Sequence, residues 1–170
     1  MPETTNRSRR GFAAGLVAVL ALTLPAAAAA DDQSVYNSFH FSHPRFQELR
    51  RDFERGEQRW ESSGYEEPGD AYRACRRTAS LSRKVRDRMQ GKTTSSETGT
   101  AARERAVLGL KYRKRWADAE RRAIESFMDF DGSEYIRLHR KAREHIARAQ
   151  DYEAEAQKLF KKAGVDTSPG

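Results

Sequence analysis

The densest group of chemically capable side chains in the sequence is Lys111-Tyr112-Arg113-Lys114-Arg115-Trp116, four cations interleaved with two aromatic rings. Cations set among aromatics can grip the phosphates of lipopolysaccharide, anionic lipid or nucleic acid. A helix drawn through the stretch divides it. Tyr112 and Trp116 fall on an apolar stripe, whereas Lys111, Lys114 and Arg115 point to the far side. That far side also carries Glu104, Asp118 and Glu125, and Asp118 is spaced to pair with Arg122 one turn on. The stretch reads first as a mixed, solvated helix face. Lys111, Arg113, Lys114 and Arg115 are the residues expected to touch a polyanion if one is bound, and no motif for a specific nucleic acid accompanies them.

The other candidates are weaker. Asp129, Asp131, Gly132 and Glu134 resemble the middle of a calcium loop, but with Gly132 in the glycine place the first and twelfth positions fall on Phe127 and Leu138. Turn and capping chemistry explains all four residues. The four histidines include the pairs His40/His43 and His139/His145, and neither has the i, i+4 spacing of a helical metal site. His145 with Met89 or Met128 could ligate haem in a helical bundle, yet its place on an inner stripe reads as a core histidine, so no cofactor is expected. No nucleophile motif, glycine-rich phosphate loop or inward pair of carboxylates appears, and an enzyme is not expected.

An address is more legible than an activity. Arg7, Arg9 and Arg10 precede an uncharged run from Gly11 to Leu24, then Pro25 and the alanines Ala26–Ala30 lead into Asp31-Asp32. A basic start, an apolar core and an Ala-x-Ala site predict a signal peptide over residues 1–30, cleaved after Ala30, and a periplasmic or secreted product. Ser8-Arg9-Arg10-Gly11-Phe12 resembles the twin-arginine export motif, with Ala13 and Ala14 where leucine and lysine usually follow. The resemblance implies export of an already folded chain; the general route is the alternative. Gly11–Ala30 approaches membrane-spanning length, but Pro25 and the weakly apolar alanine tail argue against an anchor.

The whole sequence carries +7 at pH 7. Residues 1–30 hold three arginines and one glutamate, so 29 basic and 24 acidic residues remain beyond them, about +5. An excess of that size permits weak attraction to polyanions and specifies none. The single cysteine, Cys75, rules out an internal disulfide, and the fold must rest on helix packing.

The elements that would position these residues follow from periodicity. Residues 31–43 have no clean repeat and read as a mobile or draped N-terminal segment, although Val35, Tyr36, Phe39 and Phe41 give it something to bury. The helical domain spans 44–170. Phe46, Leu49, Phe53, Gly56 and Trp60 form one stripe from Pro44, and Ala71, Ala74, Thr78, Leu81, Val85 and Met89 form a second from Pro68. Residues 91–100, rich in Thr, Ser and Gly, read as a linker. A third helix runs from about Ala101 to Phe130, a fourth from Asp131 to Gly164, and the short turn between them makes the pair antiparallel.

On the fourth helix Ala142, Ala149, Ala156 and Ala163 recur every seven residues, a coiled-coil-like seam. With the fold-back point near Gly132, Gly109 faces Ala156, Trp116 faces Ala149, and Ala123 faces Ala142. The expected fold is all-α: an antiparallel four-helix bundle with a long C-terminal helical hairpin, following a signal peptide. The first two helices are too short to cover that hairpin. This mismatch points to an exported, non-enzymatic protein that binds a protein partner or a second copy of itself, as a chaperone or accessory subunit would. The alternative is a charge-driven binder of the anionic envelope surface through the basic face of the third helix.

Overall fold

The computed structural model describes residues 24–167. Among the described residues the chain is all-α, with five helices: α1 Leu24–His40, α2 His43–Ser62, α3 Gly69–Gln90, α4 Glu97–Met128 and α5 Gly132–Lys162. None of them is long and apolar enough to cross a membrane. The expected signal peptide lies outside the described residues up to 23, and its residues 24–30 form the first turns of α1.

α2–α5 follow the four stripes read from the sequence. α1 is additional. The segment expected to be mobile or draped over 31–43 is helical through His40, with Val35, Tyr36 and Phe39 buried. Their spacing of one and three residues places them on one helical face, which two aspartates and several polar residues obscure in the sequence. α1 also changes the linker. Asp32 is 1 % exposed and its carboxylate accepts hydrogen bonds from the Ser95 amide (3.1 Å) and the Ser96 hydroxyl (2.6 Å). Ser96 Oγ in turn accepts from the Gly99 amide and caps α4, which starts at Glu97 inside the expected linker. A β-carbon on Gly99 would stand 2.1 Å from the Asp32 carboxylate, so glycine is what lets the latch close. Lys92 Nζ adds bonds to the Ser34 carbonyl and hydroxyl.

α4 and α5 share the most extensive interface; α3 packs on α4, and α2 on α3. Gly56 lets α2 lie directly on α3, because a β-carbon there would sit 2.4 Å from the Ala71 nitrogen. Toward α4, the aromatic residues of α2 act as spacers: Phe53 meets Trp116 edge-on at 5.4 Å and Trp60 meets Phe127 at 5.0 Å. Two apolar clusters result. One joins Val35, Phe39, Phe46, Met89, Leu110, Ala156 and Phe160, and the other joins Phe53, Trp60, Cys75, Trp116, Ile124 and Ala142. Cys75 is fully enclosed in the second, and burial, then Glu120 and Glu57, push its thiol well above the ordinary range.

α4 and α5 run in opposite directions, as their contacts from Arg105–Glu155 through Tyr112–Tyr152 and Glu120–His139 to Phe127–Tyr135 require. The fold-back point differs from the expected one. α4 ends at Met128 and Gly132 already lies in α5, so the chain reverses at 130–131 and opposite residues shift by about three positions. A β-carbon on Gly109 would meet Glu153 Cγ at 2.8 Å and the Ala149 carbonyl at 3.3 Å, not Ala156. Ala156 instead belongs with Ala102 and Ala106. The seam residues Ala123, Ala142, Ala149 and Ala156 are all fully buried, and Trp116 is nearly so.

Candidate functional site

Three of the helices end in the same way. In a Schellman ending the residue just past the cap turns left-handed, and its neighbours' amides bond back to the last carbonyls. After α2 that residue is Gly64 (φ 72°), with Tyr65 N–H bonding to the Trp60 carbonyl. After α5 it is Gly164 (φ 79°), with Val165 N–H bonding to Phe160. After α4 it is Phe130 (φ 60°), with Asp131 N–H bonding to Ser126 at 2.9 Å and Phe130 N–H to Phe127 at 3.0 Å. Glycine adopts this conformation without steric cost, whereas a residue with a β-carbon is held there against about 1–2 kcal/mol. Asp131 explains why the turn persists: its carboxylate accepts from the Glu134 amide at 3.0 Å and starts α5. Glu134 does not reach back to the Asp131 amide, which bonds to the Ser126 carbonyl; its carboxylate pairs with Arg137. The Asp131 carboxyl is held below its usual range, first by the Glu134 amide and then by the Ser133 hydroxyl.

Phe130 gains nothing from packing in return for that strain. It is 98 % exposed. Met128 (43 %) and Tyr65 (42 %) are exposed beside it, Ile136 (66 %) is exposed in the first turns of α5, and a shallow pocket of about 500 Å³ is lined by Gly64, Tyr65, Phe127, Met128, Phe130 and Gly132. Its base is rigid. Trp60, Tyr65, Phe127 and Tyr135 pack ring against ring at 4.8–5.3 Å. The two segments forming this tip, residues 61–67 and 127–136, contain Glu61, Glu66, Glu67, Asp129, Asp131 and Glu134 and no lysine or arginine. In a chain of net charge +7 the tip is acidic as well as apolar.

Below the tip is a buried polar group. The Glu120 carboxylate accepts a hydrogen bond from His139 Nδ1–H at 2.9 Å, and this bond holds the imidazole above its ordinary titration range. Burial, followed by Glu120, raises the Glu57 carboxyl. Among the described residues no group of three or more His, Cys, Asp and Glu side chains is arranged to hold a metal ion.

The basic stretch of α4 does not form one face. Arg113 is 8 % exposed and makes two bonds to the Glu153 carboxylate, Nε to Oε1 at 2.9 Å and a terminal nitrogen to Oε2 at 2.5 Å. Its guanidinium also lies over the Phe46 ring, 4.7 Å from the centroid. Arg113 is therefore an internal tie between α4, α5 and α2, not a polyanion contact; the bare Gly109 one turn earlier makes room for Glu153 to reach it. Lys114 is paired with Asp118. Lys111 and Arg115 remain exposed, with Arg115 over the Tyr112 ring at 5.0 Å. No family model, curated protein or solved structure matches the chain. In the sequence Asp129, Asp131, Gly132 and Glu134 read as turn chemistry, and no motif gives a surface role to Tyr65, Met128 or the side chain of Phe130. A bulky residue at the end of a long helix, where glycine closes two others, was the available signal for Phe130.

Proposed function

We propose that this is an exported, non-enzymatic helical protein, built as a bundle around the α4–α5 hairpin, whose acidic aromatic tip docks a basic, apolar segment of a partner polypeptide. The observation that carries the reading is Phe130, a large aromatic held in a glycine-type conformation and 98 % exposed. Strain without compensating packing concentrates where a side chain serves something other than folding. Burying Phe130 in a partner would contribute about 1.5–3 kcal/mol, and Ile136, Met128 and Tyr65 would add smaller amounts. The acidic residues of the tip other than the Arg137-paired Glu134 select the partner's charge, because cations beside an apolar anchor meet a complementary rim. A chaperone-like or accessory role in the periplasm fits such a surface and the sequence's export features.

Titration of the full chain with synthetic peptides tests this. A Lys/Leu amphipathic peptide should bind, whereas its Glu/Leu and Lys/Ser counterparts should not. Binding should fall at least tenfold in Phe130→Asp. Equal binding of the Lys/Ser peptide would make the contact mere charge attraction, and unchanged binding by Phe130→Asp would refute the tip as the site. If concentration-dependent self-association, abolished by the same substitution, appeared without peptide binding, the occupant would be a second copy.

A further inference from the structure

On a different face, the two long helices enclose a groove of about 420 Å³ lined by Arg115, Asp118, Ala119, Arg122, Leu138, Lys141 and His145. The spacing explains the geometry. Arg115 and Arg122 stand seven residues apart on one wall, and Lys141 and His145 stand one turn apart on the other. Ala119 and Leu138 are buried and form an apolar floor. Among the described residues Arg115, Arg122 and Lys141 have no carboxylate within 4 Å, although ion pairs elsewhere on the surface are common. The groove's own acid, Asp118, is taken by Lys114. Arg148 lies just beyond, bonded to the Tyr112 hydroxyl at 3.3 Å, and both Arg115 and Arg148 stack over that ring.

We propose that this groove is a binding site for a phosphate group, with Arg115, Arg122 and Lys141 as its ligands and His145 as a donor when protonated. Three cations lining one groove, none of them in an ion pair among the described residues, match a dianion better than a carboxylate. Guanidinium forks suit phosphate oxygens in particular, and the stacked ring limits the freedom Arg115 loses on binding. The apolar floor accommodates the carbon side of a phosphoester. The same chemistry is offered by a lipid headgroup and by a soluble phosphate compound.

His145 supplies a readout that a purely structural role would not move. Burial lowers its titration, and Arg115, Lys141 and Arg148 lower it further; Glu144 alone opposes them. Asp118 and Tyr112 complete the charged and titratable groups facing it. A bound phosphate reverses the cationic effect and raises the His145 titration. Full-length protein is titrated with inorganic phosphate while the His145 ring protons are followed by NMR across pH 5–8. The expected result is a saturable upward movement of the His145 midpoint, with binding weakened at least tenfold in Arg115→Gln and Lys141→Gln. Lys111→Gln, exposed on the same helix but outside the groove, should change it less than twofold. No movement of His145, or equal weakening by Lys111→Gln, overturns the proposal. A second arm uses vesicles of phosphatidylglycerol against phosphatidylcholine. Association with the former, lost in Arg115→Gln and kept in Lys111→Gln, assigns the phosphate to a lipid. Saturable binding of inorganic phosphate without vesicle association assigns it to a soluble compound. The peptide titrations of Phe130→Asp are independent of all these outcomes.

Discussion

Replacing Arg113 by methionine should be among the most damaging single changes available in this protein. The side chain is nearly as long, so little volume is lost, but the Glu153 carboxylate is left without its two bonds in a site where that residue is 5 % exposed. Removing one member of a buried ion pair costs about 3–5 kcal/mol, chiefly because the other charge stays desolvated. For a chain of 170 residues this corresponds to a fall in melting temperature of roughly 6–20 °C, at about 2–4 °C per kcal/mol. Glu153→Met should cost a similar amount by orphaning the guanidinium. Arg113→Met/Glu153→Met together should recover to within about 1–2 kcal/mol of the parent, since an apolar replacement of a buried pair is often near neutral. Urea denaturation of the four proteins at pH 7, followed by circular dichroism, closes the cycle. Repeating it in 0.5 M NaCl should leave the single-variant costs in place, because screening acts through solvent that scarcely reaches this pair. Single-variant costs below about 1 kcal/mol, or a double variant as unstable as the two costs summed, would mean that water reaches the pair and that the reasoning is wrong.

Gly56→Ala should destabilise more than Gly109→Ala, because its β-carbon meets the backbone of Ala71 whereas that at 109 meets the Glu153 side chain; overpacking of about 1–3 kcal/mol or more against about 1 kcal/mol of helix propensity sets the scale, and the reverse order in thermal melts would refute it. Phe130→Gly should raise stability by about 1 kcal/mol by relieving the left-handed strain while abolishing binding of the Lys/Leu peptide, so a loss of stability would show that the ring supports the fold. Glu57→Gln should raise the melting temperature at pH 8 and leave it unchanged at pH 4: a carboxyl raised on folding costs stability as pH climbs above its ordinary value, and burial followed by Glu120 raises this one. His139→Gln should do its damage at pH 5.5 and much less at pH 9, because a raised imidazole stabilises fully below its unfolded value and loses that contribution as pH passes its folded one.

The helices of the bundle were legible because their stripes repeat at threes and fours for twenty residues or more, and because proline and glycine mark their ends. α1 was not, since Val35, Tyr36 and Phe39 make too short a pattern beside Asp31 and Asp32. The reason for Asp32 is tertiary: it accepts from the Ser95 amide and the Ser96 hydroxyl in a loop more than sixty residues away. The basic stretch misled in a similar way. Sequence spacing places Arg113 beside the apolar stripe, and whether such a cation is solvated or internal depends on Glu153 forty residues later. Lys141 joins Arg115 and Arg122 only through the reversal at 130–131, which the glycine at 132 disguised.

Cys75 makes the molecule its own stopwatch. Its sulfur is enclosed on α3 and its thiol is pushed strongly upward by burial, so a thiol-reactive dye can add only after that part of the fold has swung open. With dye in excess, the rate of labelling becomes the rate of opening; with dye scarce, it reports how often the open form exists. The sequence holds no second sulfhydryl, so every count of incorporated dye belongs to one atom at one depth. Partner capture at the tip, or phosphate in the groove, can therefore be timed by how far each slows that clock, with no reporter residue engineered into the chain.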